Sequence, residues 1–322
     1  MDSVKPATLQ PTEDSDVAKG DSLRDSRGAL AGCGTALVTP FTDSGDIDEP
    51  ALREFVEWQI NQGVHFLVPC GSTGEAATMT LDEHRRVVAI TIQQVNGRLP
   101  VVAGAGSNDT QKAIALSKEM ATVGATHLLH TSPWYNKPPQ RGIIAHYRAI
   151  ADAVDLPIVI YNVPGRTGSN VEAATTLELA EDERFVAVKE ASGNLAQISE
   201  IIRNCPPRFS VLSGDDAFTV AVMAEGGDGV VSVTSNVVPM LVSQLTECLA
   251  LGDLVQARSI SHQLAPWTSA AFIESNPIPS KAALALMKKM KNVLRLPLVP
   301  LADKHNELLR TSLEAVGALA TS

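Results

Sequence analysis

A chain of 322 residues, 44% apolar and 19% charged, is long enough to bury a large core, as one α/β barrel or as two ordinary domains. A net charge of −10 and a pI near 5.2 leave no basic surplus to neutralise phosphates, so a general nucleic-acid binder is excluded as the expectation. No apolar run reaches membrane-spanning length, and the four scattered cysteines (Cys33, Cys70, Cys205, Cys248) suit reduced thiols in the cytoplasm better than disulfides or zinc.

Residues 1–30 contain no aromatic residue, mix acids, bases, Ser, Thr and Pro, and lack the apolar stretch of a signal peptide. They are expected to form a disordered tail outside the fold. From Gly34 a regular alternation begins. Residues 35–41 read as a strand and Ser44-Gly45 as a turn, and a helix follows over 48–62, with Leu52, Phe55, Val56 and Ile60 at helical spacing and Gly63 closing it. A second strand spans 65–70 and its helix 81–95. A third strand spans 100–105, its helix opening on Asp109 as N-cap and running to Val123. The fourth pair is 127–131 and 140–154, the fifth 156–161 and 171–181, the sixth 185–191 and 195–204. The seventh is 209–213 and 216–225, the eighth 229–234 and 237–251.

Eight strand–helix units with nearly continuous apolar strands are what a closed (β/α)8 TIM barrel requires, and the even repetition favours it over an open doubly wound sheet. The barrel is assigned to 31–252. After Gly252 the pattern changes to helices at 254–264, 279–290 and 302–318, a C-terminal helical domain over 253–322 that packs beside the barrel.

In such a barrel chemistry sits where the strands end. Strand two runs into Gly71-Ser-Thr-Gly-Glu75, whose glycines allow a tight turn with N–H groups free for an anion such as a carboxylate. Strand four ends in Ser132-Pro-Trp-Tyr-Asn-Lys-Pro138 and strand five in Tyr161-Asn-Val-Pro-Gly-Arg-Thr-Gly168. Strand six carries Lys189, strand seven ends in Ser213-Gly-Asp-Asp216, and strand eight in Thr234-Ser-Asn236. Along strand six Ala187 and Lys189 share one face, with Val186, Val188 and Glu190 on the other. Facing a barrel interior, Lys189 would be a desolvated amine able to form a Schiff base with a ketone; facing water, it would be an ordinary strand-end lysine. Asp215-Asp216 reads as a helix cap and first turn rather than an acid/base pair. Gly104-Ala-Gly106 fails as a dinucleotide fingerprint because Asp109 stands where its third glycine belongs. His127 and His130 fall on opposite strand faces and cannot chelate together, so no metal is expected.

On these motifs, in this order, together with Asn276-Pro-Ile-Pro279 and Leu294-Arg-Leu-Pro297, residues 32–318 resemble the dihydrodipicolinate synthase/N-acetylneuraminate lyase family of Schiff-base pyruvate aldolases. The resemblance is strongest to the branch that condenses pyruvate with aspartate semialdehyde on the route to diaminopimelate and lysine. It implies Lys189 as the imine-forming nucleophile and Tyr161 as the phenol that moves protons. Thr73 would hold the pyruvate carboxylate, and Arg166 that of the aldehyde. Ser72 and Tyr135 would complete a hydroxyl relay with Tyr161, Tyr135 reaching a partner subunit's site, and Gly214 and Val231 would line the pocket. It further implies no cofactor beyond the covalent pyruvate and a homotetramer built as a dimer of dimers. Ser72 stands where the synthases usually carry threonine, as in the lyases, which keeps a sister aldolase as the alternative; Arg166 points back to a short aldehyde acid. A barrel retained only for binding would have lost Lys189 or Tyr161, and both are present. At the family's lysine-effector position His84 and Asn108 fit, but Leu81, Lys112 and Trp134 do not, so weak or absent feedback by lysine is expected.

Overall fold

The computed structural model describes residues 30–320, so the expected tail lies outside the described residues except for Leu30. Leu30 belongs to the fold: it is buried with Phe66, Ala187 and Val231 inside the ring of strands. Composition places the boundary one residue late because a single leucine carries no periodicity.

Eight parallel strands form the ring: β1 (Gly32–Ala36), β2 (Phe66–Val68), β3 (Val102–Gly104), β4 (His127–Thr131), β5 (Ile158–Asn162), β6 (Phe185–Glu190), β7 (Ser210–Ser213) and β8 (Gly229–Ser232). Their order is β2-β1-β8-β7-β6-β5-β4-β3. A Leu67–Val101 bridge closes the gap between β2 and β3, where Gly104 N–H donates to Pro69 O at 3.0 Å. Between them run α1 (Glu49–Asn61), α2 (Leu81–Val95), α3 (Thr110–Thr122), α4 (Gln140–Ala151), α5 (Pro164–Thr167), α6 (Ala173–Ala180), α7 (Leu195–Asn204), α8 (Thr219–Ala224) and α9 (Pro239–Ala250). Then come α10 (Leu254–Ala270), α11 (Ile278–Leu286) and α12 (Asn306–Ala315). The local signals explain where helices start. Asp48, Asp109, Asn194 and Asp253 each accept an N–H of the first turn, and Thr80 with Glu83 forms a capping box on α2.

Apolar side chains alternate between two layers. Ala36, Val68, Val102, Leu129, Val159, Ala187, Leu212 and Val231 fill the ring, while the outward residues pack under the helices. The helices after α9 share one continuous cluster with α1 and α2, through Trp267, Ile278, Leu284, Leu309 and Leu313.

Several expected bounds move, among them the helix expected at 279–290, which ends at Leu286, and that expected at 302–318, which spans Asn306–Ala315; three further differences have a physical reason. β1 begins at Gly32 and stops at Ala36: its pairing with β8 runs from Gly32 opposite Gly229 to Thr35 opposite Ser232, its pairing with β2 ends at Ala36 opposite Val68, and after the Leu37 N–H to Val68 O bond the chain leaves the sheet. α10 does not stop at Leu264 but continues through Pro266. Buried Trp267, whose Nε1 donates to Thr234 O at 3.1 Å, holds this turn against the ~3 kcal/mol that an interior proline costs. Finally, the β5–β6 register slips between Ile158 and Val159, so Val186 is half-buried against the interior cluster rather than on the outer face.

Candidate active site

Beyond the slip in β6, alternation holds. Lys189 enters the ring and is 5% exposed, whereas Glu190 turns outward. Glu190 is buried too, but neutral groups satisfy it: Asn162 Nδ2 at 3.0 and 3.1 Å, Gln197 Nε2 at 3.0 Å and Ser192 N–H at 2.7 Å. Lys189 pairs in register with Tyr161 of β5, and its Nζ lies 4.3 Å from that ring's centroid. Nζ makes no hydrogen bond to any described residue. Burial pulls the amine down to about 8; Asp216 opposes this and the Arg166 cation adds to it. Burial raises the Tyr161 phenol to about 12, with Arg166 pulling the other way, so at neutral pH the phenol holds its proton.

Asp216 combines a role the sequence suggests with one it hides. Asp215 caps the turn, accepting from Ala217 N–H at 3.0 Å. Asp216 is drawn into the ring end, where Ser232 Oγ, Val233 N–H at 2.8 Å and Thr234 N–H at 3.1 Å all donate to it. It is the carboxylate whose charge Lys189 feels. No sequence signal separates it from Asp215; only the fold does. Thr234, Ser235 and Asn236 also prove structural. Asn236 accepts from Val38 N–H at 3.0 Å and donates to Ala36 O at 2.8 Å, tying β8 to β1.

The Gly71–Glu75 loop does offer free donors, though not by the expected means. The left-handed backbone sits on Cys70 (φ 56°) and Glu75 (φ 57°), with the glycines elsewhere. Gly74 and Glu75 N–H groups bond back to Gly71 O and Ser72 O, while those of Ser72 and Thr73 donate to no described residue. Thr73 is buried, and its Oγ1 accepts from Asn276 Nδ2 at 2.8 Å. Gly214 presses its Cα against the Lys189 stem: a Cβ there would lie 3.1 Å from Lys189 Cγ and 2.7 Å from Ala191 Cβ. Val231 faces the interior.

The remaining three are exposed. Arg166, on α5, directs Nη2 to Asn276 O at 3.4 Å. Ser72 is exposed, and Tyr135 is 88% exposed on a left-handed backbone (φ 73°). Among the described residues no hydrogen bond joins the Ser72, Tyr161 and Tyr135 hydroxyls, so one chain alone does not assemble that relay.

The residues to which sequence reasoning gave no role come from the C-terminal segment. Fully buried Lys281 pairs with Glu75 and donates to Val293 O at 2.8 Å, and Arg295 pairs with Glu83 and donates its N–H to Glu75 at 3.0 Å. Both cations lie over the Phe41 ring, at 4.1 and 4.5 Å from its centroid. The segment therefore props the barrel mouth as well as flanking the ring. Two of the sequence motifs, around Asn276 and Arg295, mark it. Among the described residues no cluster of three or more His, Cys, Asp or Glu is arranged for a metal, and no helix is long and apolar enough to cross a membrane.

Comparison with known proteins agrees with this geometry. A model of the dihydrodipicolinate synthetase family matches residues 29–316. The chain is 49% identical over 291 residues to a 4-hydroxy-tetrahydrodipicolinate synthase of Nitratidesulfovibrio vulgaris, covering 90% of this chain and 99% of that one. It is 48% identical to the Koribacter versatilis protein of the same name, covering 90% and 96%. Among solved structures, dihydrodipicolinate synthase from Thermotoga maritima superposes with TM-score 0.88 at 42% identity, over 90% of this chain and 99% of that one. The Acinetobacter baumannii enzyme, complexed with pyruvate, does so with TM-score 0.88 at 40% identity and the same coverage.

Proposed function

The chain belongs to the dihydrodipicolinate synthetase family, and from that premise we propose that it is a 4-hydroxy-tetrahydrodipicolinate synthase, condensing pyruvate with L-aspartate 4-semialdehyde. The observation that carries this reading is Lys189: a buried amine, unpaired by hydrogen bonds, held at about 8 over the Tyr161 ring.

Near neutral pH a useful fraction of such an amine is neutral and can attack the keto carbon of pyruvate, expelling water to leave an iminium. The iminium draws electrons, so the pyruvate methyl group loses a proton and becomes an enamine, which attacks the aldehyde carbon. Tyr161, protonated at rest, supplies the proton to the new alkoxide and recovers one in the steps that follow. The N–H groups of Ser72 and Thr73 and the Thr73 hydroxyl grip the pyruvate carboxylate. Arg166 at the rim takes the carboxylate of the semialdehyde, and Gly214 and Val231 shape the floor. Ser72 and Tyr135 serve the relay across two subunits of a homotetramer in the cytoplasm, and lysine feedback is weak or absent. No metal or organic cofactor enters.

Borohydride reduction in the presence of pyruvate, followed by peptide mapping, tests the reading: the adduct should sit on Lys189. An adduct on another residue, or none, removes the mechanism. Release of pyruvate from N-acetylneuraminate without condensation of the semialdehyde would instead indicate the sister aldolase, which Ser72 favours.

A further inference from the structure

The Asn276-Pro-Ile-Pro279 motif has no part in the chemistry above, yet Asn276 stands between its two anion sites. Asn276 is 6% exposed. Nδ2 donates to Thr73 Oγ1 at 2.8 Å, the main-chain oxygen accepts from Arg166 Nη2 at 3.4 Å, and buried Oδ1 has no hydrogen-bond partner among the described residues. We propose that Asn276 is a positioning residue: by donating to Thr73 Oγ1 it commits the Thr73 hydroxyl to donate to the carboxylate of the keto acid, and it couples that site to Arg166.

A threonine hydroxyl has one hydrogen and two lone pairs. With the carboxamide on a lone pair, the O–H must point elsewhere, and no described residue accepts it. It lies in the same loop as the undonated N–H groups of Ser72 and Thr73, so three donors are left for an incoming anion. Were an acceptor placed against Oγ1 instead, the hydroxyl would turn back to it, and the substrate carboxylate would lose a donor and meet a lone pair. The main-chain bond to Arg166 means that the same residue sets the reach of the second carboxylate's guanidinium.

The proposal rests on the pyruvate reading, and one experiment separates the two. Wild type, Asn276→Ala, Asn276→Asp, Thr73→Val and the Thr73→Val/Asn276→Ala double variant are compared by borohydride trapping at increasing pyruvate and by steady-state KM and kcat. Asn276→Asp is nearly isosteric but accepts the hydroxyl and adds a negative charge. It should raise half-saturation by pyruvate at least about tenfold beyond Asn276→Ala, with kcat changing less. In the Thr73→Val background Asn276→Ala should add less than about threefold, because the hydroxyl it orients is gone. A merely structural role predicts the reverse ranking, the cavity being worse than the isostere, and additive effects. That outcome, or half-saturation unchanged in every Asn276 variant while wild type traps pyruvate on Lys189, overturns the proposal alone. No adduct in wild type overturns the reading and the proposal together. Should Asn276→Asp fail to fold, the Thr73–Asn276 double-variant comparison decides.

Discussion

Lys189 and Glu190 are neighbours in sequence, but the period of two sends one into the ring and the other to the outer layer, where Asn162 and Gln197 occupy the carboxylate. The amine is thus denied its nearest counter-charge, and burial lowers it from 10.5 to about 8, worth about 3 kcal/mol between its two protonation states. The sign of its pH dependence follows. Below about 8 a growing share of the group is ammonium, which cannot attack, so imine formation with pyruvate should rise with pH through about 8 and level off above it, far below the usual lysine value. Arg166 helps to hold the amine down, so Arg166→Gln should move that inflection upward, measured as the pH dependence of the pre-steady-state rate of adduct formation. An inflection that stays put or moves down removes Arg166 from the electrostatics of the site. If Arg166 takes the semialdehyde carboxylate as proposed, the same variant should still trap pyruvate but turn over aspartate semialdehyde poorly, roughly a hundredfold down.

At the scale of elements, the loop after β2 is held from below by α11. Glu75 is a left-handed, fully buried residue, and its carboxylate is matched by Lys281 and by Arg295 N–H. Burying two charges is not in itself stabilising, but removing one partner leaves the other uncompensated. Lys281→Met should therefore cost about 3–5 kcal/mol in denaturant unfolding, and adding Glu75→Gln should recover much of that. A Lys281→Met protein as stable as wild type would show that the pair does not brace the loop. The periodicity of 278–286 identifies a helix but is silent on which strand-end loop its lysine meets, since Glu75 and Lys281 lie 206 residues apart.

For the whole molecule, Tyr135 is the residue that a single chain leaves unexplained. Its backbone N–H is anchored to Thr167 O at 3.2 Å, while the residue is 88% exposed next to exposed Trp134. An aromatic ring held away from its own barrel suits a neighbouring copy. If Tyr135 serves the partner's Lys189, mixing inactive Lys189→Ala and Tyr135→Phe proteins and allowing subunits to exchange should restore activity. Random pairing gives about a quarter of wild-type sites, since half the dimers are mixed and each holds one intact site. Mixed assemblies that form, by mass spectrometry, yet stay as inactive as their parents would place Tyr135 in its own chain's site or in none.

What the sequence determined by itself is whatever depends on short-range periodicity and on motif order. The eight strand–helix units, the cap at Asp109 and the donor-bearing loop at Thr73 all follow from residues within a few positions of one another, whereas the side that Lys189 faces and its place beside Tyr161 come only with the closed ring. Tertiary structure decided which charges meet. Asp216 rather than Asp215 faces the amine, Lys281 finds Glu75, Asn276 spans Thr73 and Arg166, and a bulge turns Val186 inward. Each of those pairings joins elements brought together only when the ring closes and the last helices fold against it. Local propensity carries no record of partners so far away, and in a low-dielectric interior those partners set the charge each group bears.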